Sequence, residues 1–168
     1  MVPISPWHDV PFTLGDDEHG VPLLSFVCEI PRHTRAKVEI HKSIAHNPLL
    51  QDVHKNGTLR EYVYSPAIIN YGAIAQTWED PEIPDDDTAL GGDNDPIDVL
   101  QLNEGACERG AVQRVRVLGG LAVGHSPSAP SRHPPGFACR AGRASPVAHA
   151  APRRRSSSMA ARPTGSCS

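Results

Sequence analysis

The chain has 168 residues, a hydrophobic share of 39 %, an aromatic share of 5 % and a formal net charge of −3. That length suits one domain with a real core, while so few aromatic residues imply that part of the chain is not packed. No apolar run approaches the ~20 residues of a membrane span, and the start Met1-Val2-Pro3-Ile4-Ser5-Pro6 has neither the basic nor the apolar region of a secretory signal, so a soluble protein is expected.

In chain order, the Pro- and Asp-rich opening through Gly20 reads as loop. Leu23 to Ile30 alternates apolar residues at Leu24, Phe26, Cys28 and Ile30 against Ser25, Val27 and Glu29, which predicts a strand. Pro31-Arg32-His33-Thr34 is a connection. Lys37-Val38-Glu39-Ile40 then resumes the period of two, with Val38 and Ile40 inward and Lys37 and Glu39 together on the other face. His46 to Thr58 is polar and turn-rich, with Asn56-Gly57 its clearest turn. Leu59 to Tyr64 is a predicted strand, followed by a loop into Asn70-Tyr71-Gly72. Pro81 to Gly92 is acidic, irregular and expected to be exposed. Ile97 to Leu102 and Val112 to Leu118 are two further predicted strands, the second alternating Val115 and Val117 with Arg114 and Arg116. No amphipathic helix or internal repeat is evident, so short strands joined by turns predict a small β-barrel or sandwich. Four scattered cysteines (Cys28, Cys107, Cys139, Cys167) support neither a disulfide framework nor a zinc site, and Cys28 reads as a small core residue in a reducing compartment.

Charge divides the chain in two. All 19 acids lie at or before Glu108, giving the first 124 residues a charge of −10, whereas residues 125–168 have no acid, no lysine and seven arginines. This tail also has seven prolines and no Leu, Ile, Tyr or Trp, too little apolar surface to offset the entropy of ordering, so disorder is expected. Its residues have GC-rich codons and those with AT-rich codons are missing, the look of an intron or shifted frame translated by accident. The reading that follows is a partial domain in residues 1–124 and an Arg/Pro/Ser/Ala-rich tail in residues 125–168, with native coding sequence ending near Gly124. A basic arm for nucleic acid or a membrane surface is the alternative.

The most informative stretch is Gly92-Asp93-Asn94-Asp95-Pro96-Ile97-Asp98. Asp93 and Asp95 share one side of an extended segment, and Pro96 redirects the chain so that Asp98 can approach them. Clustered negative charges raise one another's pKa unless neutralised, and a hard divalent cation such as Mg²⁺ prefers carboxylate oxygens. An exposed acidic turn is the other reading. An EF-hand is excluded, because its loop wants an oxygen ligand and then Gly where Ile97 and Asp98 stand. Mg²⁺ held this way needs an anionic substrate. Lys37, Arg60 and Tyr71 offer a mobile point charge, a bidentate fork and a hydroxyl donor for one. Taken singly, Arg60 reads as a solvated surface charge, Tyr71 as a core-edge aromatic, and Glu29 and Glu39 as strand-face charges paired with Lys37 or Arg32.

Read together, the positions are specific. Glu29-Ile30-Pro31-Arg32, Lys37-Val38-Glu39-Ile40, Asn47-Pro48, Gln51-Asp52, Asn70-Tyr71-Gly72-Ala73, Gln76-Thr77-Trp78-Glu79-Asp80-Pro81 and Gly92–Val99 resemble soluble family I inorganic pyrophosphatases, most of all the eukaryotic branch. Pro6-Trp7-His8-Asp9-Val10-Pro11, Arg109-Gly110 and Val115–Ala122 fit as well, so the resemblance covers about residues 5–124 in unbroken order. It implies an OB-like five-stranded β-barrel with peripheral helices, here incomplete at the C-terminus. It also implies Mg²⁺-dependent hydrolysis of inorganic pyrophosphate to two orthophosphates. Carried over, Asp93 and Asp98 ligate the metals flanking the attacking water, and Asp95 is the base that helps deprotonate it. Glu39 serves metals arriving with substrate, Glu29 supports the site, and Lys37, Arg60 and Tyr71 hold phosphate oxygens.

Two departures stand out against the family pattern. The stretch between Arg60 and Asn70 is shorter than in many members, and Ala67 stands where a tyrosine is common. After Gly124 the pattern ends, whereas members continue with two more metal-binding aspartates, a lysine and a Tyr-Lys pair. Weak or absent turnover is therefore the expectation for this polypeptide. A non-catalytic phosphate- or metal-binding partner of a full-length enzyme is the second reading. A nucleic-acid binder is the third, disfavoured by an acidic ordered part that lacks a basic groove with exposed aromatics. A homodimer is left open, no membrane partner is expected, and the cytoplasm is the expected compartment, or an organelle if the N-terminus is incomplete.

Overall fold

The structure, a computed structural model, describes residues 2–85 and 89–121. The tail at 125–168, with Cys139 and Cys167, lies outside the described residues, as do Asp86, Asp87 and Thr88 of the acidic Pro81–Gly92 segment. The described residues form seven strands: β1 (Thr13–Asp16), β2 (Pro22–Ile30), β3 (Val38–Ile40), β4 (Leu49–Gln51), β5 (Asn70–Ile74), β6 (Asp98–Gln101) and β7 (Val112–Val115). Five of them form one antiparallel sheet, and β3 and β4 form a separate antiparallel ribbon. The fold is thus mainly β, and the described residues contain no helix.

Everything in the large sheet hangs on β2. Leu24 pairs with both Thr13 of β1 and Val115 of β7, and Phe26 pairs with both Ile74 of β5 and Gln113 of β7. β7 therefore runs along one edge of β2, while β1 and β5 follow one another along the opposite edge. A strand flanked on both edges and covered on both faces buries every residue from Ser25 to Ile30. The alternation seen in the sequence marks only one of its two buried faces. On the other, Val27 packs with Val10 and Ala75, and Ala73 meets Trp7 and Ile40, with Leu49 and Trp78 against them.

The close approach of β5 to β2 requires glycine. A Cβ on Gly72 would lie 1.9 Å from the Val27 carbonyl oxygen, so any side chain there would push the two strands apart. Glycine and asparagine are poor strand formers, which is why Asn70-Tyr71-Gly72 reads as loop in the sequence although it begins β5. Register shifts by one residue just beyond: Cys28 pairs with Gly72, but Ile30 pairs with Tyr71, leaving Glu29 as the extra residue of a bulge.

Other boundaries also differ from the sequence-based expectation. The opening is not all loop, because Thr13–Asp16 pairs with β2. Leu49–Gln51, within the turn-rich stretch, pairs with β3. Leu59 to Tyr64 is not a strand: it makes isolated bridges from Leu59 to Val53 and from Glu61 to Ala36, and Val63 is 83 % exposed. The cause is visible at Arg60, whose N–H donates to Asp52 and whose carbonyl accepts from Lys37, two different segments rather than one partner strand. The Val38/Ile40 inward and Lys37/Glu39 outward pattern holds, with Val38 and Ile40 buried.

Candidate active site

Three segments meet through a closed exchange of backbone hydrogen bonds. Lys37 N–H donates to Arg60, Arg60 N–H to Asp52, and Asp52 N–H to Lys37, at 3.0, 2.8 and 2.8 Å. This fixes the three side chains next to one another. Asp52 Oδ2 lies 3.5 Å from Lys37 Nζ and accepts from the Arg60 guanidinium, while Lys37 also pairs with Glu39. Partial burial pushes the Asp52 carboxyl upward, but the Val53 amide, Arg60 and Lys37 outweigh it and hold the group below its ordinary value.

A second frame holds the acidic loop. Glu79 N–H donates to the Asp95 carbonyl at 2.8 Å, Asn94 N–H to the Glu79 carbonyl at 3.0 Å, and Gly92 N–H to the Asp80 carbonyl at 2.9 Å. The Ile97 amide donates to Thr77 Oγ1, and the Trp78 indole donates to Asn94 Oδ1. Thr77-Trp78-Glu79-Asp80 is thus a clasp on Gly92–Ile97. Gly92 is needed for the grip, since a Cβ there would stand 2.3 Å from the Glu79 carbonyl carbon. Asn94 takes the left-handed turn at φ 69°, a conformation asparagine tolerates better than most residues.

Sheet register delivers the remaining groups. Ala73 pairs with Asp98 and Tyr71 with Leu100, so Tyr71 and Asp98 share one face of the sheet. There the Tyr71 hydroxyl bonds the Asp98 carboxylate. Burial and that carboxylate together push the phenol far above its ordinary value. Asp98 itself is exposed. Its carboxyl is raised first by lost hydration and then by Asp93, Asp95 and Glu39, against the Tyr71 bond. Glu29, re-aimed by the bulge and 4 % exposed, accepts the Ile40 N–H at 2.7 Å. Burial, with Asp98, Glu39 and Asp95 adding to it, raises this carboxyl to about 8 despite that hydrogen bond.

All eight residues singled out in the sequence line one cavity of about 360 Å³: Glu29, Lys37, Glu39, Arg60, Tyr71, Asp93, Asp95 and Asp98. Sequence reasoning assigned no role to three others. Asp52 lies between the two cations. Glu79 is raised to about 7 by burial and by its contact with Asp93. Lys42 pairs with Asp95 at 2.9 Å. Asp52 and Glu79 stand inside the quoted motifs, so motif membership was their available signal; Lys42 had none. Asp95 is raised by partial burial first, with Lys42 opposing.

Six of the lining side chains are carboxylates and two are cations, a donor set of hard oxygens that suits Mg²⁺. Among the described residues, no three such side chains already stand close enough to grip an ion. The fit is therefore one of chemistry, with the carboxylates held apart around the cavity and partly engaged by Lys37, Lys42 and Arg60.

Fold and cavity together define a class: a mainly β protein with a cavity lined by six carboxylates and two cations. The family described as "Inorganic pyrophosphatase" matches residues 26–128. The inorganic pyrophosphatase of Mus musculus is 47 % identical over 124 residues, covering 71 % of this chain and 41 % of the relative. That of Eremothecium gossypii is 44 % identical over 124 residues, covering 71 % and 42 %. Among solved structures, the N-terminal domain truncated Trypanosoma cruzi vacuolar soluble pyrophosphatase in complex with PPi is similar at TM-score 0.67 and 39 % identity, covering 71 % of this chain and 47 % of that one. The chain belongs to the family I inorganic pyrophosphatases, whose solved structures its mainly β fold resembles, as an OB-like fold would; the expected peripheral helices do not occur among the described residues. It spans about four tenths of the length of the curated relatives it matches.

Proposed function

We propose that this cavity hydrolyses inorganic pyrophosphate to two orthophosphates with Mg²⁺ as cofactor. The observation that carries the reading is the convergence of eight residues from five separate stretches of sequence on one cavity. Asp93, Asp98 and Glu39 would hold Mg²⁺, which would neutralise phosphate charge and lower the pKa of an attacking water. Asp95 receives that water's proton. The water oxygen bonds to one phosphorus as the bridging P–O bond breaks, and the bridging oxygen leaves with the electron pair as orthophosphate. Lys37, Arg60 and Tyr71 bind phosphoryl oxygens and stabilise the charge spread over them. Asp52 keeps Lys37 and Arg60 side by side, and Glu29 braces β3 through the Ile40 amide.

The family domain in residues 1–124 and a separate Arg/Pro-rich tail at 125–168 belong to the same proposal, supported by a family match that ends at residue 128. So does a reducing compartment such as the cytoplasm, supported by the free thiols of Cys28 and Cys107. The test is phosphate release from Mg-pyrophosphate. It should saturate, require Mg²⁺ and, however slow, fall by roughly 10²–10⁴ in Asp95→Asn, the usual contribution of a general base. Equal rates for the two proteins would overturn the assignment of Asp95.

A further inference from the structure

Lys42 takes no part in the reading above, yet its ammonium meets the acidic loop twice, 2.9 Å from Asp95 Oδ1 and 3.4 Å from the Asp93 carbonyl oxygen. It lies two residues beyond β3, so its stem ties the β3–β4 ribbon to a loop clasped against a different sheet. The two cations that line the cavity, Lys37 and Arg60, are engaged with Glu39 and Asp52. The geometry points to Lys42 as a positioning residue: an internal counter-cation that holds Asp95 in place and competes with a divalent ion for the acidic loop. The inference rests on the metal-binding part of the proposed function and adds to it a determinant of metal affinity. Stability does not account for the pair, because Lys42 and Asp95 are 43 % and 36 % exposed and pairs that open to water contribute little. What the ammonium does change is the field at the loop. A unit positive charge a few ångströms from a divalent ion opposes its binding, and removing that charge is worth on the order of tenfold in affinity at ordinary ionic strength.

Calorimetric titration of the full chain with Mg²⁺ alone tests this in the parent, Lys42→Met and Lys42→Arg. Lys42→Met keeps the apolar stem and loses the charge, and should bind Mg²⁺ on the order of tenfold more tightly. Lys42→Arg keeps the charge and should retain the parental affinity, a rescue that a merely structural contact would not produce. Unchanged or weaker binding in Lys42→Met would overturn the inference while leaving the metal site standing. If the parent takes up no Mg²⁺, the inference and the metal reading fall together. Tighter binding in Lys42→Met without any phosphate release from pyrophosphate would uphold the inference and sink only the hydrolytic reading.

Discussion

Glu29 shows how much a single position can hide. Its place in Glu29-Ile30-Pro31-Arg32 marked it as a support, but period-two patterning would put it on a regular strand face. The bulge instead turns it inward onto the Ile40 amide. Its folded pKa of about 8 lies above the ordinary carboxyl value of 4.5, so it enters the folded state as a neutral acid. The linkage sign follows: its contribution is fully present below about pH 4.5 and is lost as pH rises through 8. Without divalent ions, the thermal midpoint should therefore fall across that window, and Glu29→Gln should fall less steeply. Parallel pH profiles for the two proteins would contradict the assignment. Asp52 is the opposite case, a depressed carboxyl whose stabilisation is lost as pH falls. Its role was not legible in sequence because it depends on a backbone exchange among three segments that lie apart in the chain.

At the scale of elements, β2 and β3 were legible because alternating apolar residues mark a buried face, and β6 and β7 as strand-like runs although β7 buries none of its residues and the buried residue of β6 is Gln101. β5 was not, since its composition answers to close packing rather than to strand propensity. Gly72→Ala should cost at least the ~1–3 kcal/mol usual for overpacking, read as a lower urea midpoint at unchanged slope. A midpoint equal to that of the parent would show that the two strands separate freely. Gly92→Ala should act elsewhere: the displaced clasp should blunt the rise in thermal midpoint on adding Mg²⁺ while the urea midpoint of the metal-free protein falls less than in Gly72→Ala. Equal loss of both properties in both variants would mean that loop and sheet are not separate units. Leu59–Tyr64 misled for the reverse reason, being rich in strand-forming residues (Tyr62, Val63, Tyr64) but having no single neighbour with which to form a ladder.

For the whole molecule, the acidic half of the chain finds its physical reason in the cavity. Six carboxylates against two cations make a site that repels itself until cations enter, so Mg²⁺ should raise the thermal midpoint in proportion to the logarithm of its concentration above the binding constant. The residues that line the cavity were legible mostly from ordered motifs. The frames that assemble it, the ring through Lys37, Asp52 and Arg60 and the clasp on the acidic loop, became visible only in three dimensions. The most direct measurement of the central claim is calorimetric titration of pyrophosphate into the chain in Mg²⁺, with orthophosphate assayed in the same cell. Saturable, Mg²⁺-dependent binding that disappears in the Asp93→Asn, Asp98→Asn double variant is the expected result. Pyrophosphate binding of equal strength in that variant, or in the absence of Mg²⁺, would contradict it.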